Sequence, residues 1–294
     1  MHVPILQRDV QLEQYVDSLS MLIIFTDLDG SLLNHEDYSF QAAAPALERV
    51  RACNIPLIFT TSKTRKEIEV LQKKMGIQEP FIVENGGGIF FPNRYEKLTI
   101  RNSIKKQSYR LIQLGIPYAN ILHFVQGIKD EFGIKGFSDC TAEEIMRLAG
   151  LTRKEAAYAK KREFTEPFIM KRTAALNRLR NMARKKGIKI TQGGRFYHFI
   201  GAEQDKGTAV KTAVAVFRQN YGGKITSIGI GDSKNDIPLL AAVDIPVLIP
   251  HPGGKYENVK LPRLIKAPFP GSRGWNEAIE RVLDELQGKS FSNI

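Results

Sequence analysis

Two aspartates separated by one residue follow an apolar run near the start of the chain, in "IIFTDLDGSLLNH". Asp27 and Asp29 stand at the exit of a predicted buried strand, where mutual repulsion and loss of water both disfavour the ionised carboxylates. A strand-ending turn or a calcium loop would explain this spacing. A catalytic site with a bound divalent cation would explain it too, because the cation offsets the repulsion.

Other polar groups stand at comparable points of the pattern. Thr61 and Ser62 follow the apolar run "IPLIFT", Asp232 and Asp236 follow "ITSIGI", and Lys206 opens a helix in "EQDKGTAV". Open parallel sheets form their binding crevice at the carboxyl ends of the strands, so we expect these groups to meet there. Taken singly, each has an ordinary explanation: the lysine as a solvated helix-start residue, the aspartates as helix caps.

Together these residues suit metal-assisted phosphoryl transfer. Asp27 and Asp232 offer the hard oxygen ligands that Mg2+ prefers, and Lys206 can neutralise a phosphoryl group. One oxygen of Asp27 would then attack phosphorus and form an aspartyl-phosphate. Asp29 would act as general acid and base. The Thr61 hydroxyl would help to hold the phosphoryl oxygens.

The elements that must position this site alternate between strand and helix from residue 21 onward. This alternation favours parallel strands joined by crossover helices, and hence a doubly wound, Rossmann-like α/β core. One helix carries its own start and stop signals, with Thr64 as N-cap, Glu67 as its capping-box partner and Gly76 as terminator.

The pattern changes between about residues 90 and 201, where polar and aromatic residues increase and the alternation weakens. We interpret residues 90–201 as an inserted α+β cap domain, and residues 21–89 with 202–294 as the core. Residues 1–20 are interpreted as an N-terminal arm, since they lack the features of a secretory signal. Residues 34–38 are interpreted as a loop with no special role.

Composition narrows the class of protein. The 294 residues include 43% hydrophobic ones, ordinary for a globular protein, and 43 Lys and Arg against 31 Asp and Glu give a net charge of +12. No apolar run approaches the roughly 20 residues of a membrane span, so we expect a cytoplasmic protein without membrane contact. No nucleic-acid-binding motif stands out. The charge suits an anionic partner, either nucleic acid, which is the less expected of the two, or a phosphorylated metabolite; solvated helix faces are the ordinary explanation for most of these lysines.

Four motifs in order, "DLDGS", a threonine after the second strand, "DKG" and "GDSKND", resemble those of the haloacid dehalogenase superfamily of phosphatases. The insertion after the third strand resembles the type II cap of that superfamily. The resemblance implies that Asp27 is the nucleophile, that Asp29 is the general acid/base, and that Thr61 and Lys206 bind phosphate. It also implies Mg2+ held by Asp27, the Asp29 backbone carbonyl and Asp232, with Asp236 supporting the site. Ser31, where threonine is usual, keeps the hydroxyl.

Longer stretches such as "EPFIVENGGGIFFP" and "GDSKNDIPLLAAVDIPVLIPHPGG" resemble the mannosyl-3-phosphoglycerate phosphatases, a family of that superfamily. This resemblance implies Mg2+-dependent hydrolysis of mannosyl-3-phosphoglycerate to mannosylglycerate, a compatible-solute reaction. Glucosyl-3-phosphoglycerate or another sugar phosphate is an alternative substrate. A phosphometabolite sensor or a nucleic-acid-binding module is the alternative from another class. The intact set of Asp27, Asp29, Lys206 and Asp232 argues against a sensor without turnover.

Candidates for substrate recognition lie near the predicted site and in the cap. Lys63 and Arg65 could contact a glycerate carboxylate, or could be solvated charges. Asn85 could help to hold the substrate, or "ENGG" could be only a tight turn. Ser62, beside Thr61, is a further candidate for substrate binding. The candidates in the cap, each of which could equally be a capping or surface residue, are Ser138, Asp139, Lys161 and Arg162. His198, in an alternating strand, is interpreted as a structural histidine rather than a ligand.

Overall fold

The computed structural model describes residues 21–193 and 196–288, so the predicted N-terminal arm lies outside the described residues. The strands are β1 (Met21–Thr26), β2 (Leu57–Thr60), β3 (Phe81–Val83), β4 (Gly88–Pro92), β5 (Ile104–Lys106), β6 (Tyr109–Gln113), β7 (Ile134–Gly136), β8 (Glu166–Met170), β9 (Ile188–Gly193), β10 (Phe196–Gly201), β11 (Ile225–Gly231), β12 (Ile245–Leu248) and β13 (Ile265–Lys266). The helices are α1 (Ala44–Ala52), α2 (Arg65–Met75), α3 (Tyr118–Gln126), α4 (Lys129–Phe132), α5 (Ala142–Ala149), α6 (Arg153–Ala159), α7 (Leu176–Arg184), α8 (Lys206–Tyr221), α9 (Ile237–Leu240) and α10 (Gly271–Leu286).

Nine strands form the larger sheet, in the order β13-β12-β11-β1-β2-β3-β4-β6-β5. The first six of this order pair in parallel, from β13 to β3. The last three continue the sheet as antiparallel strands. The crossover connections return each parallel strand in the same direction, which brings the carboxyl ends of β11, β1 and β2 side by side.

Both faces of this sheet are covered by helices. Along β1 the buried side chains alternate, so that Ile24 packs on the face covered by α1, α2 and α10, and Ile23 and Phe25 pack on the face covered by α8 and α9. Trp275 of α10 and Phe217 of α8 are the largest buried side chains that these helices contribute. Strands buried on both faces explain the continuous apolar runs of the sequence. The predicted doubly wound α/β core is confirmed.

The capping box predicted at Thr64 is confirmed, and the helix starts at Thr141 and Thr152 have the same arrangement. Thr64, Thr141 and Thr152 each accept a hydrogen bond from the backbone N–H three residues later, and the glutamate there accepts one in return. Helix α2 ends at Gly76 in the left-handed conformation, as predicted. Of the helices that the structure describes, none combines the length and the apolar character needed to cross a membrane.

The smaller sheet has the order β7-β8-β10-β9 and is antiparallel throughout. One face carries Phe168 and Phe199 against α3 and α7. The opposite face carries Phe196, which packs with Phe137 and with residues of α5 and α6. This sheet and its helices form the predicted α+β cap.

The larger sheet explains why the strand-helix alternation of the sequence weakens near residue 90. β4 begins at Gly88, and β5 and β6 pair onto it, so this part of the predicted cap range 90–201 extends the core sheet. Ile104–Lys106 is an exposed edge strand with two lysines, and such an edge is polar because one face meets water. The smaller sheet begins only at Ile134.

Candidate active site

The candidate site lies where β11, β1 and β2 end. The backbone N–H of Asp27 donates to the Ile230 carbonyl at 2.8 Å, which continues the pairing of β1 with β11 one residue past the strand. Asp232 therefore lies beside Asp27, and Thr61 follows β2 on the other side. A cleft of about 500 Å3 opens here, lined by Asp27, Asp29 and Asp232 from the core and by cap side chains.

The turn after Asp29 approaches the neighbouring strand end too closely for a side chain. Gly30 has φ of +84°, and a Cβ there would lie 2.6 Å from Asp232 Oδ2. Glycine is thus required at this position both by backbone conformation and by space. Nearby, the Ser31 hydroxyl donates a hydrogen bond to Asp232 Oδ1 at 3.4 Å. This contact needs only the hydroxyl group, which serine shares with threonine.

Lys206 forms ion pairs with two carboxylates of the site, those of Asp27 and Asp236. Its Nζ lies 2.6 Å from Asp27 Oδ1 and 2.6 Å from Asp236 Oδ1, and its side chain is fully buried. Asp205 caps helix α8 by accepting from the Thr208 N–H, which fixes the first turn that carries Lys206. Burial alone would lower the pKa of this ammonium, but Asp236 and Asp27 outweigh burial and raise it. Lys206 is therefore charged when it meets an anion.

Asp236 is the best-satisfied carboxylate of the group. While Oδ1 accepts from Lys206, Oδ2 accepts from the backbone N–H groups of Asp232 and Ser233 and from the Ser233 hydroxyl. These bonds fix the loop after β11, and with it the direction of Asp232. The geometry suits a residue that positions a metal ligand more than it suits a ligand.

Asp27 and Asp232 carry more negative charge than Lys206 alone can offset. Burial, and after it Asp236, raises the pKa of Asp27 well above its usual value. Burial is also the largest cause of the raised pKa of Asp232. Carboxylate oxygens of Asp27, Asp232 and Asp236 all lie within 4.8 Å of one another. A buried set of hard oxygen donors short of positive charge fits a divalent cation such as Mg2+.

Asp29 lies at the mouth of this group. Its Oδ2 is 2.9 Å from Lys63 Nζ, whereas its Oδ1 is buried and has no hydrogen-bond partner within residues 21–193 and 196–288. Burial lowers the pKa of Lys63, but Asp29 and, after it, Glu67 together outweigh burial, so the pKa is raised. The Lys63 ammonium also lies 5.2 Å from the centre of the Tyr38 ring. Asp29 lines the cleft and pairs only one carboxylate oxygen with Lys63, so it is available for proton transfer.

The turn after β2 carries Thr61, which is buried and does not line the cleft, and Ser62, which does. The Thr61 hydroxyl accepts from the Lys63 N–H at 3.2 Å, and the Thr61 carbonyl accepts from the Asn85 N–H at 2.9 Å. The Asn85 side chain accepts from Asn235 at 3.2 Å and does not line the cleft. Asn85 has φ of +57°, in the tight turn that "ENGG" predicted.

Arg162 reaches from the cap to the core. Its Nη1 donates to the Ser62 carbonyl at 2.7 Å, and the guanidinium lines the cleft. That carbonyl belongs to the residue after Thr61, so this hydrogen bond joins the cap to the turn that follows β2. Of the predicted substrate residues, Ser62, Lys63 and Arg162 line the cleft.

Other predicted substrate residues lie elsewhere. Arg65 binds Glu163 and Glu69, each at 2.8 Å, outside the cleft. Ser138 donates through N–H and hydroxyl to the buried Glu166. Asp139 pairs with Lys129 at 2.6 Å. These three side chains and the exposed Lys161 do not line the cleft, and the first three have partners that hold the cap fold and its contact with the core.

Several residues at the site were not singled out from the sequence. His35 Nε2 and His251 Nδ1 lie 3.4 Å and 3.6 Å from Asp232 Oδ2, so the loop of residues 34–38 does contribute to the cleft. A hydrogen bond to Asp232 raises the pKa of His35. Buried Glu84, with φ of +51°, accepts from the N–H groups of Glu163 and Phe164. The sequence "ENGG" predicted a tight turn at Glu84, but it gave no indication that the Glu84 carboxylate binds residues 163 and 164.

Comparison with known proteins agrees with this geometry. The sequence-family model of the haloacid dehalogenase-like hydrolases matches residues 24–250 of this chain. A glucosyl-3-phosphoglycerate/mannosyl-3-phosphoglycerate phosphatase of Persephonella marina is 54% identical over 90% of this chain and 98% of its own. One of Methanococcoides burtonii is 40% identical over 87% and 95%. A solved Thermoplasma acidophilum protein shares the fold, with a TM-score of 0.64, 16% identity, and coverage of 92% of this chain and 99% of its own. This chain is therefore a phosphatase that belongs to the haloacid dehalogenase-like hydrolase family.

Proposed function

We propose that this phosphatase hydrolyses the phosphate monoester of mannosyl-3-phosphoglycerate, with glucosyl-3-phosphoglycerate as a second substrate, and uses Mg2+. The observation that carries the proposal is a single cleft whose lining includes the carboxylates of Asp27 and Asp232 together with two cationic residues, Lys63 and Arg162. Such a cleft can take a phosphate and a second anionic group at once. The names of the two curated relatives include both substrates, which supports the pair.

Asp27 is the nucleophile of the proposed reaction. Its carboxylate is held by Lys206 through Oδ1 and attacks phosphorus, which forms an aspartyl-phosphate and releases the glycerate oxygen. Lys206 is fully buried, so its charge stabilises the added negative charge without reorganisation of water. Water then attacks phosphorus, which frees Asp27 and phosphate.

Asp29 carries the proton in both half-reactions. It protonates the leaving glycerate oxygen and later takes a proton from the attacking water. Before substrate binds, Lys63 pairs with Asp29 at 2.9 Å. The carboxylate of the glycerate competes for the same ammonium, and this competition frees Asp29 to hold the proton. Substrate binding and readiness for proton transfer are thereby coupled through Lys63.

Mg2+ would be held by the carboxylates of Asp27 and Asp232 and by the backbone carbonyl of Asp29, with Asp236 fixing the loop. When bound, the cation offsets the carboxylate repulsion and draws charge from the phosphoryl oxygens. The acidic cluster and the raised pKa values of Asp27 and Asp232 support this assignment.

Phosphate release from a panel of substrates tests the proposal. The panel contains mannosyl-3-phosphoglycerate, its glucosyl analogue, several hexose phosphates and p-nitrophenyl phosphate, each with Mg2+ and with a chelator. We expect Mg2+-dependent turnover with the highest kcat/KM for the two glycosyl compounds, and none in Asp27→Asn. Preference for hexose phosphates would contradict the substrate assignment, and undiminished turnover with the chelator would contradict the metal.

A further inference from the structure

The smaller sheet, β7-β8-β10-β9, is called the cap sheet below, and its two faces contact different parts of the protein. Successive side chains of a strand point to opposite faces, so Tyr197 and Phe199 of β10 share one face and Phe196 and His198 share the other. Phe199 packs in the cap core with Phe168. His198 pairs across the sheet with Pro167, and both line the cleft with Phe196. His198 is thus placed on the cleft face.

His198 is buried, with 6% of its surface exposed, and its Nδ1 is also buried. Within the described ranges 21–193 and 196–288, this nitrogen has no hydrogen-bond partner. A buried polar atom without a partner costs free energy, so its persistence calls for a ligand that satisfies it. The sequence pattern favoured a structural histidine, but a structural histidine in this position would be bonded to the protein.

The environment defines the chemistry of that ligand. Burial, and after it the positive charge of Arg162, lowers the pKa of His198 to about 3, so the imidazole is neutral. A neutral imidazole does not attract a phosphate or carboxylate by charge. Lys63 and Arg162, which line the same cleft, can attract such anions instead. It is well suited to a hydroxyl, which can both donate and accept.

The other groups around His198 suit a sugar ring. Phe137, Phe196 and Pro167 line this part of the cleft with apolar surface. Phe137 and Phe196 meet edge to face at 5.0 Å between ring centroids, so this wall is firmly packed. An apolar wall with few placed polar groups is typical of a site that orients a small neutral group.

We infer that His198 is a specificity residue that forms a hydrogen bond through Nδ1 to a hydroxyl of the sugar of the substrate. This inference rests on the proposed function and extends it, because it identifies the part of the cap that reads the sugar. The phosphate lies at Asp27, the glycerate carboxylate lies at Lys63 and Arg162, and the glycosyl group lies against the cleft face of the cap sheet.

The test compares His198→Phe and His198→Asn with the wild type. Phenylalanine removes the hydrogen-bonding nitrogen, whereas the asparagine amide places a polar atom close to Nδ1. For the two glycosyl-3-phosphoglycerates we expect His198→Phe to lower kcat/KM by about ten- to hundredfold. His198→Asn recovers most of this loss. Turnover of p-nitrophenyl phosphate, which has no sugar, stays within about twofold in both variants.

Deoxy analogues of the substrate sugar give a second readout. With the analogue that lacks the hydroxyl bound by His198, the wild type is expected to lose about tenfold or more in kcat/KM. His198→Phe is expected to lose little further with that analogue, because the variant has already lost this hydrogen bond. The control is His123→Phe, a histidine exposed on α3 away from the cleft, which should leave every value unchanged.

The outcomes separate this inference from the proposed function. Wild-type turnover of p-nitrophenyl phosphate without turnover of either glycosyl compound would overturn both. Full glycosyl turnover by His198→Phe would overturn the inference alone. Equal losses on all substrates would also overturn it, because they would show that His198 supports the fold or the phosphate site and does not read the sugar.

Discussion

The indole Nε1 of Trp275 donates a hydrogen bond to the Thr26 hydroxyl at 3.0 Å, and that hydroxyl donates to the Asp27 carbonyl at 2.7 Å. Trp275 is fully buried in α10, more than two hundred residues from Thr26 in the chain. The last helix of the core is thereby connected to the backbone of the proposed nucleophile.

Trp275→Phe should weaken both stability and chemistry. The ring stays apolar, but the Thr26 hydroxyl loses its donor, so we expect a free energy of unfolding lower by about 1–3 kcal/mol. We also expect kcat to fall several-fold with little change in KM, because the direction of Asp27 is relaxed while the binding groups remain. Urea unfolding and steady-state kinetics measure the two effects. An increase in KM alone would contradict the positioning role.

Lys206→Met should abolish turnover and destabilise the cation-free protein. The change leaves Asp27 and Asp236 buried without their shared ammonium, a loss of about 3–5 kcal/mol for a broken buried pair. Activity should fall by about a thousandfold or more, since one fixed charge beside the phosphoryl group is removed. Lys211→Met, on the exposed side of the same helix, is the matched control and should change stability by no more than about 0.5 kcal/mol.

Lys63→Met should distinguish substrates by their carboxylate. We expect a loss of about ten- to a hundredfold in kcat/KM for glycosyl-3-phosphoglycerates, because a charge-assisted contact is lost. Hexose phosphates, which lack the carboxylate, should lose much less. Lys66→Met is the control, since Lys66 lies three residues on and is half exposed. Equal losses on both substrate classes would indicate that Lys63 acts only through Asp29.

Mg2+ should raise the melting temperature of the wild type, and the rise should grow with pH. Burial raises the pKa of Asp27 and of Asp232, so in the cation-free fold they hold protons at higher pH than usual. That raised folded-state pKa adds stability at low pH, which is lost as pH rises through it. The cation needs both carboxylates ionised and therefore binds more tightly at higher pH. At about 100 times Kd the gain is about 2.7 kcal/mol.

Differential scanning calorimetry across a pH series measures this effect. Asp232→Asn keeps the size of the side chain and removes one proposed ligand charge, so its melting temperature should be nearly independent of Mg2+. A wild-type melting temperature that Mg2+ leaves unchanged at neutral pH would contradict the proposed metal site.

The parts of the fold that follow from neighbouring residues were predictable from sequence. Asp27, Thr61 and Asp232 each follow an apolar run, and parallel pairing of those runs is sufficient to bring them to one edge of a sheet. The capping box predicted at Thr64 depends only on two residues three positions apart. Local signals of this kind do not depend on how distant elements pack.

The substrate contacts were less predictable because their partners come from distant segments. Arg65 is bound by Glu163, 98 residues away, and the Ser138 hydroxyl is bound by Glu166. Neither pairing is visible in the spacing of residues, so a charged or hydroxyl side chain near a motif resembled a ligand. His198 is the reverse case, since its strand pattern is ordinary and only the packing shows that its Nδ1 is buried without a partner among the residues that the structure describes.

The nucleophilic role of Asp27 is tested most directly by trapping the phosphoryl enzyme. In Asp29→Asn, p-nitrophenyl phosphate can still phosphorylate the enzyme because its leaving group needs no proton, whereas attack by water loses its base. Mass spectrometry after an acid quench should then find one added phosphoryl group on the peptide that contains Asp27, and none in Asp27→Asn. A phosphoryl group on another residue, or steady turnover by Asp27→Asn, would contradict the account.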